Sequence, residues 1–463
     1  MPSQSAPARR RSTSHGRRPE GPGGHRARGA VPAAPAAPVG PVGIRLLPRP
    51  GLLGRRLELK QLVQLEVAAA LVAVGWTIDP MMAGIFGVPA LVLLVLALLR
   101  LGGRTTGEAM TVRSAYNSRR REAKYNVPPP GTDPALAPVL ELEPALRTCT
   151  HAIETDLGDG RPLRRETGMV GDGTFFTSVL LVQSKDQPLR PGRGTSGLPL
   201  DLICSILQVD DIGLESVQLV QHTQPAPAPH LPEHSLAARA YQQAPGGVST
   251  PALRLTWVAL KLDPERAATA VLARGGGEEG SRKALQRVTD QLAGRLNSAG
   301  FTATVLDERE LIAALAISVC ANPVAVAGRQ GSGGGVGVAR RAQESAKFCR
   351  IDDRWHTTYW ISKWPTLSRP GAGDGRIAAP ELVNQLTGTP AFASTFTITA
   401  TRAMGGSVAL SGHLRLTGRS ESEVAQVGRL VESRAQHVGT SLTRLDLEHA
   451  PGLLATLPLG GTS

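Results

Sequence analysis

Cysteine, lysine and aromatic side chains are scarce in this 463-residue chain, and each shortage excludes something. Its four cysteines, Cys149, Cys204, Cys320 and Cys349, are 55, 116 and 29 residues apart. With no CxxC pair and no close Cys/His spacing, a zinc site is excluded. Such scattered cysteines fit a reducing compartment, as small buried hydrophobes. Phosphate loops are missing too. In "GSGGGVGVA" the GxGxxG pattern fails, because Val336 and Val338 stand where its last glycine should be, and "GMVGDGT" (168–174) lacks the lysine of a GxxxxGK[ST] loop. Both read as turns. There is no HExxH and no GxSxG, so no catalytic, cofactor-binding or metal-binding residue is expected.

The charge is abundant but uneven. The net charge is +13, with 51 Lys+Arg against 38 Asp+Glu. Residues 1–60 carry 12 Lys+Arg against Glu20 and Glu58, a balance of +10, which leaves +3 for the rest. Residues 1–44 are rich in Pro, Gly, Ala and Arg and poor in large apolar side chains, so they read as a disordered basic tail. The tail has no aromatics for base stacking, and anionic lipid accounts for the same charge, so no nucleic-acid partner is expected. No apolar stretch follows its arginines closely enough for a secretory signal.

Two apolar runs come next, "QLVQLEVAAALVAVGWTI" (61–78) and "MMAGIFGVPALVLLVLALLRL" (81–101). Each approaches the ~20 residues that cross a bilayer as a helix. Asp79-Pro80 leaves room only for a tight turn between them, since proline disfavours helical geometry in the residue before it. Residues 45–104 are therefore expected to form a transmembrane hairpin. Arg55, Arg56 and Lys60 precede the first run; Arg100, Arg104, Arg113, Arg119, Arg120, Arg121 and Lys124 follow the second; the turn has neither Lys nor Arg. That asymmetry places both termini in the cytoplasm, for a multi-pass protein of the cell (inner) membrane whose basic flanks meet anionic lipid. Glu66, inside the first run, either snorkels to headgroups or contacts another membrane subunit.

A basic, then Pro-rich linker is expected over 105–134, and a cytoplasmic α/β domain with a mixed sheet over 135–463, divided into two lobes near the Pro-rich 224–250. "TFFTSVLLVQS", "ESVQLVQHT", "LRLTWVALKL", "FTATVL", "RWHTTYWISKW", "ASTFTITATRA" and "SVALSGHLRL" alternate as strands. Residues 279–300 place Leu285, Val288, Leu292 and Leu296 on one side of a helix stopped by Gly300, and Asp307 caps the next. The acidic pairs Asp210-Asp211 and Asp352-Asp353 read as solvated turns, because adjacent carboxylates on a strand point to opposite faces. "WHTTYWISKW" holds three of the five tryptophans. On a strand, Trp355 and Tyr359 share one face and Trp360 the other; with Trp364 and Glu66 they are the candidate interaction residues.

The hairpin, "GMVGDGTFFTSVLLV", "TWVALKLDPE", "WHTTYWISKWP" and "RLDLEHAPGLLATLPLGG" in this order resemble the EccE family, a membrane component of the actinobacterial type VII (ESX) secretion system. The resemblance covers about residues 60–461. It implies a structural, non-enzymatic subunit with a degenerate glycosyltransferase-like α/β body and no cofactor, assembling with EccB, EccC and EccD subunits to support protein export. The alternative from the residues is a membrane-anchored, metal-dependent glycosyltransferase that uses Asp352 or Asp353.

Overall fold

The computed structural model describes residues 44–46, 59–156, 162–184, 197–225, 251–325, 340–368, 377–403 and 407–461, with breaks at 79, 99, 102–103 and 130, and also 235–236 and 239. Residues Pro41–Ser463 make one compact unit. The expected tail, up to residue 43, and the glycine-rich loop from 328 to 339 lie outside the described residues.

Helices α1 (Leu59–Ile78) and α2 (Pro80–Leu98) pack against each other as the expected hairpin. Among the described residues, however, no helix is long and apolar enough to cross a membrane, which corrects the expectation of two spans. The second helix also ends earlier than residue 101, because Arg100–Leu101 pair with Arg104–Thr105 as a short extended ladder. The basic stretch expected as linker begins as helix α3 (Thr106–Glu122), with Glu108 in its first turn and Arg119, Arg120 and Arg121 in its last, as the helix dipole favours. Arg119 donates from Nε and Nη2 to Glu344 (3.1 Å each) and from Nη2 to the Leu447 carbonyl (2.6 Å), which ties the end of α3 to the body.

Strands β1 (Ile44–Leu46), β2 (Arg147–Asp156), β3 (Pro162–Gly171), β4 (Phe176–Ser184), β5 (Ser216–Pro225), β6 (Pro251–Leu262), β7 (Phe301–Val305), β8 (Ala342–Glu344), β9 (Cys349–Ile351), β10 (Arg354–Lys363), β11 (Ala393–Arg402), β12 (Val408–Gly418) and β13 (Ser441–Arg444) form one sheet. Its order is β8-β9-β10-β12-β11-β5-β6-β4-β3-β2, with β7 beside β4, β13 beside β10 and β1 beside β12. Every pairing is antiparallel except that of the three-residue β1. The expected mixed sheet is thus an almost wholly antiparallel one. Alternation of strand and helix in sequence does not set strand direction, and here adjacent strands return as hairpins. β5 and β6 are themselves neighbours, and most of the Pro-rich stretch between them lies outside the described residues.

The sheet has an internal two-fold. The run β2-β3-β4-β6-β5 is repeated as β8-β9-β10-β12-β11, and the halves join where β5 pairs with β11. Each half ends alike: helix, short strand, helix. These are α7 (Gly277–Ser298), β7 and α8 (Glu308–Ser318) in the first half, and α10 (Glu421–His437), β13 and α11 (His449–Leu454) in the second. Buried Leu285, Val288, Leu292 and Leu296 of α7 correspond to Val424, Val427, Val431 and Ala435 of α10. Gly300 (φ 90°) and Gly439 (φ 74°) follow the two helices at the same point, in a conformation that favours glycine. The glycine-rich stretch joins the halves in sequence.

Helices cover both faces. Helix α7, with α5 (Leu200–Ser205) and α6 (Ala268–Leu272), closes one core on a face that α9 (Ala379–Thr387) and α10 continue. Helices α4 (Ala137–Leu142), α8 and α11 and the segment Ala455–Leu459 close the opposite face. Helix α8 begins on a capping box: Asp307 accepts from the Glu310 N–H while Glu310 accepts from the Asp307 N–H. Its start lies directly on β3, where a Cβ on Gly168 would come 2.5 Å from the Asp307 carbonyl carbon and oxygen. Gly168→Ala is expected to push α8 off the sheet and to lower stability by about 1–3 kcal/mol. The urea midpoint of the detergent-solubilised chain checks this; an unchanged midpoint contradicts the close approach.

Candidate functional site

The aromatic strand β10 divides its side chains between two covered faces. Tyr359 is buried among Leu382, Phe396, Leu414 and Val431, and its hydroxyl abuts Gly428 of α10, which has no side chain to obstruct it. Burial, reinforced by nearby Glu432, pushes its phenol above the usual range. Trp360 is buried on the other face. Trp364 packs over Gly412, 2.5 Å from where a Cβ would lie, and its buried Nε1 has no partner among the described residues. Tyr359 and Trp360 are thus buried in packing and Trp364 is half-buried: one face of a strand looks exposed in sequence only if nothing covers it. Trp355 is half-buried, edge-to-face with Phe348 (6.1 Å, 86°) and beneath the Arg350 guanidinium. Glu66 is exposed on α1.

The inward face also carries polar groups that periodicity did not single out. His222 of β5, Thr395 of β11, Arg415 of β12 and Thr358 of β10 form one row across four strands, and all are buried. Arg415 donates from Nη2 to the Ser318 carbonyl and to Thr395 Oγ1; its Nε and Nη1 have no partner among the described residues. Desolvation lowers the pKa of this guanidinium to about 10. His222 and His356 each make one bond through Nδ1, 3.0 Å to Thr395 and Thr417. Burial, with Arg415 nearby, lowers His222 to about 3 and His356 well below its ordinary value, so both are neutral. The unfolded chain, with imidazoles near 6.5, binds more protons than the folded chain below that pH. Stability is thus expected to be full above pH 6.5 and to fall towards pH 3 by at most about 1.4 kcal/mol per pH unit for each histidine. Denaturation between pH 7.5 and 5 reads this slope, and His222→Gln should flatten it.

Both acidic pairs are two-residue hairpin turns whose first aspartate is left-handed, φ 51° at Asp210 and at Asp352. The Asp352 carboxylate is committed: it accepts from Arg341 Nε and Nη2 (2.6 and 2.7 Å) and from the Asn322 N–H (2.9 Å), with both ionic side chains buried. Asp353 is half-exposed beside Arg354 and Asn322. A metal-dependent transferase would have to give up this pairing. Asp352→Asn is expected to cost about 3–5 kcal/mol by leaving Arg341 buried and unpaired, whereas Asp353→Asn stays within about 0.5 kcal/mol. Denaturant midpoints of the two variants separate these outcomes. "GMVGDGT" is likewise the β3–β4 turn, with Asp172 accepting from Thr174 and Gly173 at φ 95°. Cys204, Cys320 and Cys349 are buried and Cys149 is half-buried; burial raises all four thiols, Cys204 to about 11.

What remains open is a groove of about 650 Å³ where α10 begins, lined by Lys347, Phe348, Ser420, Glu421, Arg429 and Arg444. Ser420 caps α10, accepting from the Glu423 N–H. Arg444 is held by Asp446 (2.7 and 2.9 Å), but neither Lys347 nor Arg429 has an ion pair among the described residues. The lining residues come from stretches some seventy positions apart in sequence, and no spacing links them.

With this geometry in hand, residues 250–361 match the family described as "Putative type VII ESX secretion system translocon, EccE". The matched stretch runs from β6 into β10, across the join between the two halves. No curated protein matches the chain.

Proposed function

We propose that this protein is a structural subunit of a type VII secretion inner-membrane complex, supporting its assembly and through it protein export. The match of residues 250–361 carries the reading. The hairpin supports it. Its two helices are α1 and α2. Their outward side chains are apolar: Trp76 is 71% exposed and Ile85 and Val88 64%. Apolar surface on that scale marks a lipid or protein contact. On this reading the chain associates with the cell membrane through the apolar side chains of the hairpin, and the arginines of α3 meet anionic lipid. Glu66 then faces a headgroup or a neighbouring subunit. EccB, EccC and EccD subunits are the partners, and the body acts by binding, without catalysis.

The test is co-purification. The detergent-solubilised full chain should retain the other membrane subunits of a type VII complex. Removing residues 1–43 should change this little, since a basic arm adds mainly salt-sensitive attraction; removing residues 135–463 should abolish it. Full assembly by the hairpin alone would contradict a docking role for the body.

A further inference from the structure

The two halves of the sheet differ most at their outer edges. In the first half, β2 and β3 pair over ten residues. In the second, β8 and β9 pair over only three. The long hairpin of the first half reaches the flank of α7: Arg165 of β3 forms an ion pair with Asp290, and His151 of β2 lies in the field of Glu279, Arg282 and Lys283. Counting back from Gly300 and Gly439, the α10 residues equivalent to Arg282, Lys283, Gln286 and Asp290 are Glu421, Ser422, Ala425 and Arg429. All four line the open groove. The groove is thus the place that the β2–β3 hairpin fills in the first half, left uncovered by the described residues of the second because the corresponding hairpin is too short.

The charge at the key position is also reversed. Asp290 meets an arginine of the covering hairpin, whereas its counterpart Arg429 meets no carboxylate among the described residues, and Lys347 beside it is unpaired too. Phe348 and Ala425 supply an apolar floor, and the positive end of the α10 dipole opens at the same place. The cover that would satisfy this flank is extended in shape and acidic.

We propose that the groove between the 345–348 turn and the start of α10 is a docking site for an extended, Asp/Glu-bearing segment of a partner protein, seated where the β2–β3 hairpin sits in the first half. Its carboxylates face Lys347 and Arg429, and an apolar residue rests on Phe348. This rests on the assembly reading above and names the surface through which the body would act.

The experiment uses the full chain in membranes. Lys347→Glu with Arg429→Glu should reduce recovery of the other type VII membrane subunits at least tenfold. Arg309→Glu, an exposed arginine on α8, should leave it unchanged. Both reversed side chains are exposed, so the denaturation midpoint should stay put; Lys347→Gln and Arg429→Gln, each removing one charge, should give intermediate losses. A photo-crosslinking residue at position 422 should yield an adduct that maps to an acidic peptide. Undiminished recovery by the double reversal overturns the proposal, as does an adduct to lipid or to a basic segment. If even the unaltered chain recovers no subunit, the assembly reading fails, and the identity of the position-422 adduct still decides the groove.

Discussion

The body depends on the ladder between β5 and β11, from Ser216↔Thr401 to Thr223↔Ser394. It is the only sheet contact that joins the two halves among the described residues, and it makes two five-stranded runs one core. Its inward face is polar, with Gln218, His222, Thr395 and Thr397 all buried. Buried polar groups are costly unless they are bonded, so the ladder constrains what may cover it. The closing segment of the chain meets that constraint for Gln218 and Ser216, while Thr397 Oγ1 and His222 Nε2 have no partner among the described residues. Gln218 donates to the Ala455 carbonyl and accepts from the Gly460 N–H, Ser216 donates to the Gly460 carbonyl, and Thr177 donates to that of Leu459. Gly460 and Gly461, at φ 89° and 82°, let the backbone lie against Lys261 and Thr399 where a side chain would collide.

Around this seam the two halves keep their buried apolar positions and diverge in polar pairings. Leu306-Asp307 and Leu445-Asp446 stand at equivalent points after β7 and β13. Asp307 caps α8, whereas Asp446 holds Arg444. Arg415 of β12 is buried with no carboxylate partner among the described residues, whereas Lys261, the buried basic residue of β6, pairs with Glu215. Packing by apolar area tolerates many sequences, while each polar pairing requires two specific partners, so duplicated folds retain the first and rebuild the second.

The hairpin is not a loose appendage. Arg119 at the end of α3 and the Ala450 N–H at the start of α11 both bond Glu344, and Arg340 donates to the Ala123 and Glu141 carbonyls. Glu141 in turn accepts from the N–H groups of Arg341 and Ala342. The chain leaving the helical hairpin is thereby bonded into the edge of the second half.

Periodicity and local chemistry determined the elements themselves. Apolar residues at three- and four-residue spacing set the buried side of α7, Asp307 and Gly300 marked helix ends through bonds made within a few residues, and β10, β11 and β12 lie where their period-two patterns put them. Tertiary structure alone decided strand order and direction, the two-fold relation of the halves, and the separate fates of Asp352 and Asp353. It also decided that Tyr359 and Trp360 are core while Lys347 and Arg429, eighty-two positions apart, line one groove. These depend on which faces become covered and on pairings between residues distant in the chain. The covering elements here, above all the closing segment over the polar seam, are held by backbone carbonyls and N–H groups, which every residue but proline shares and no sequence pattern displays.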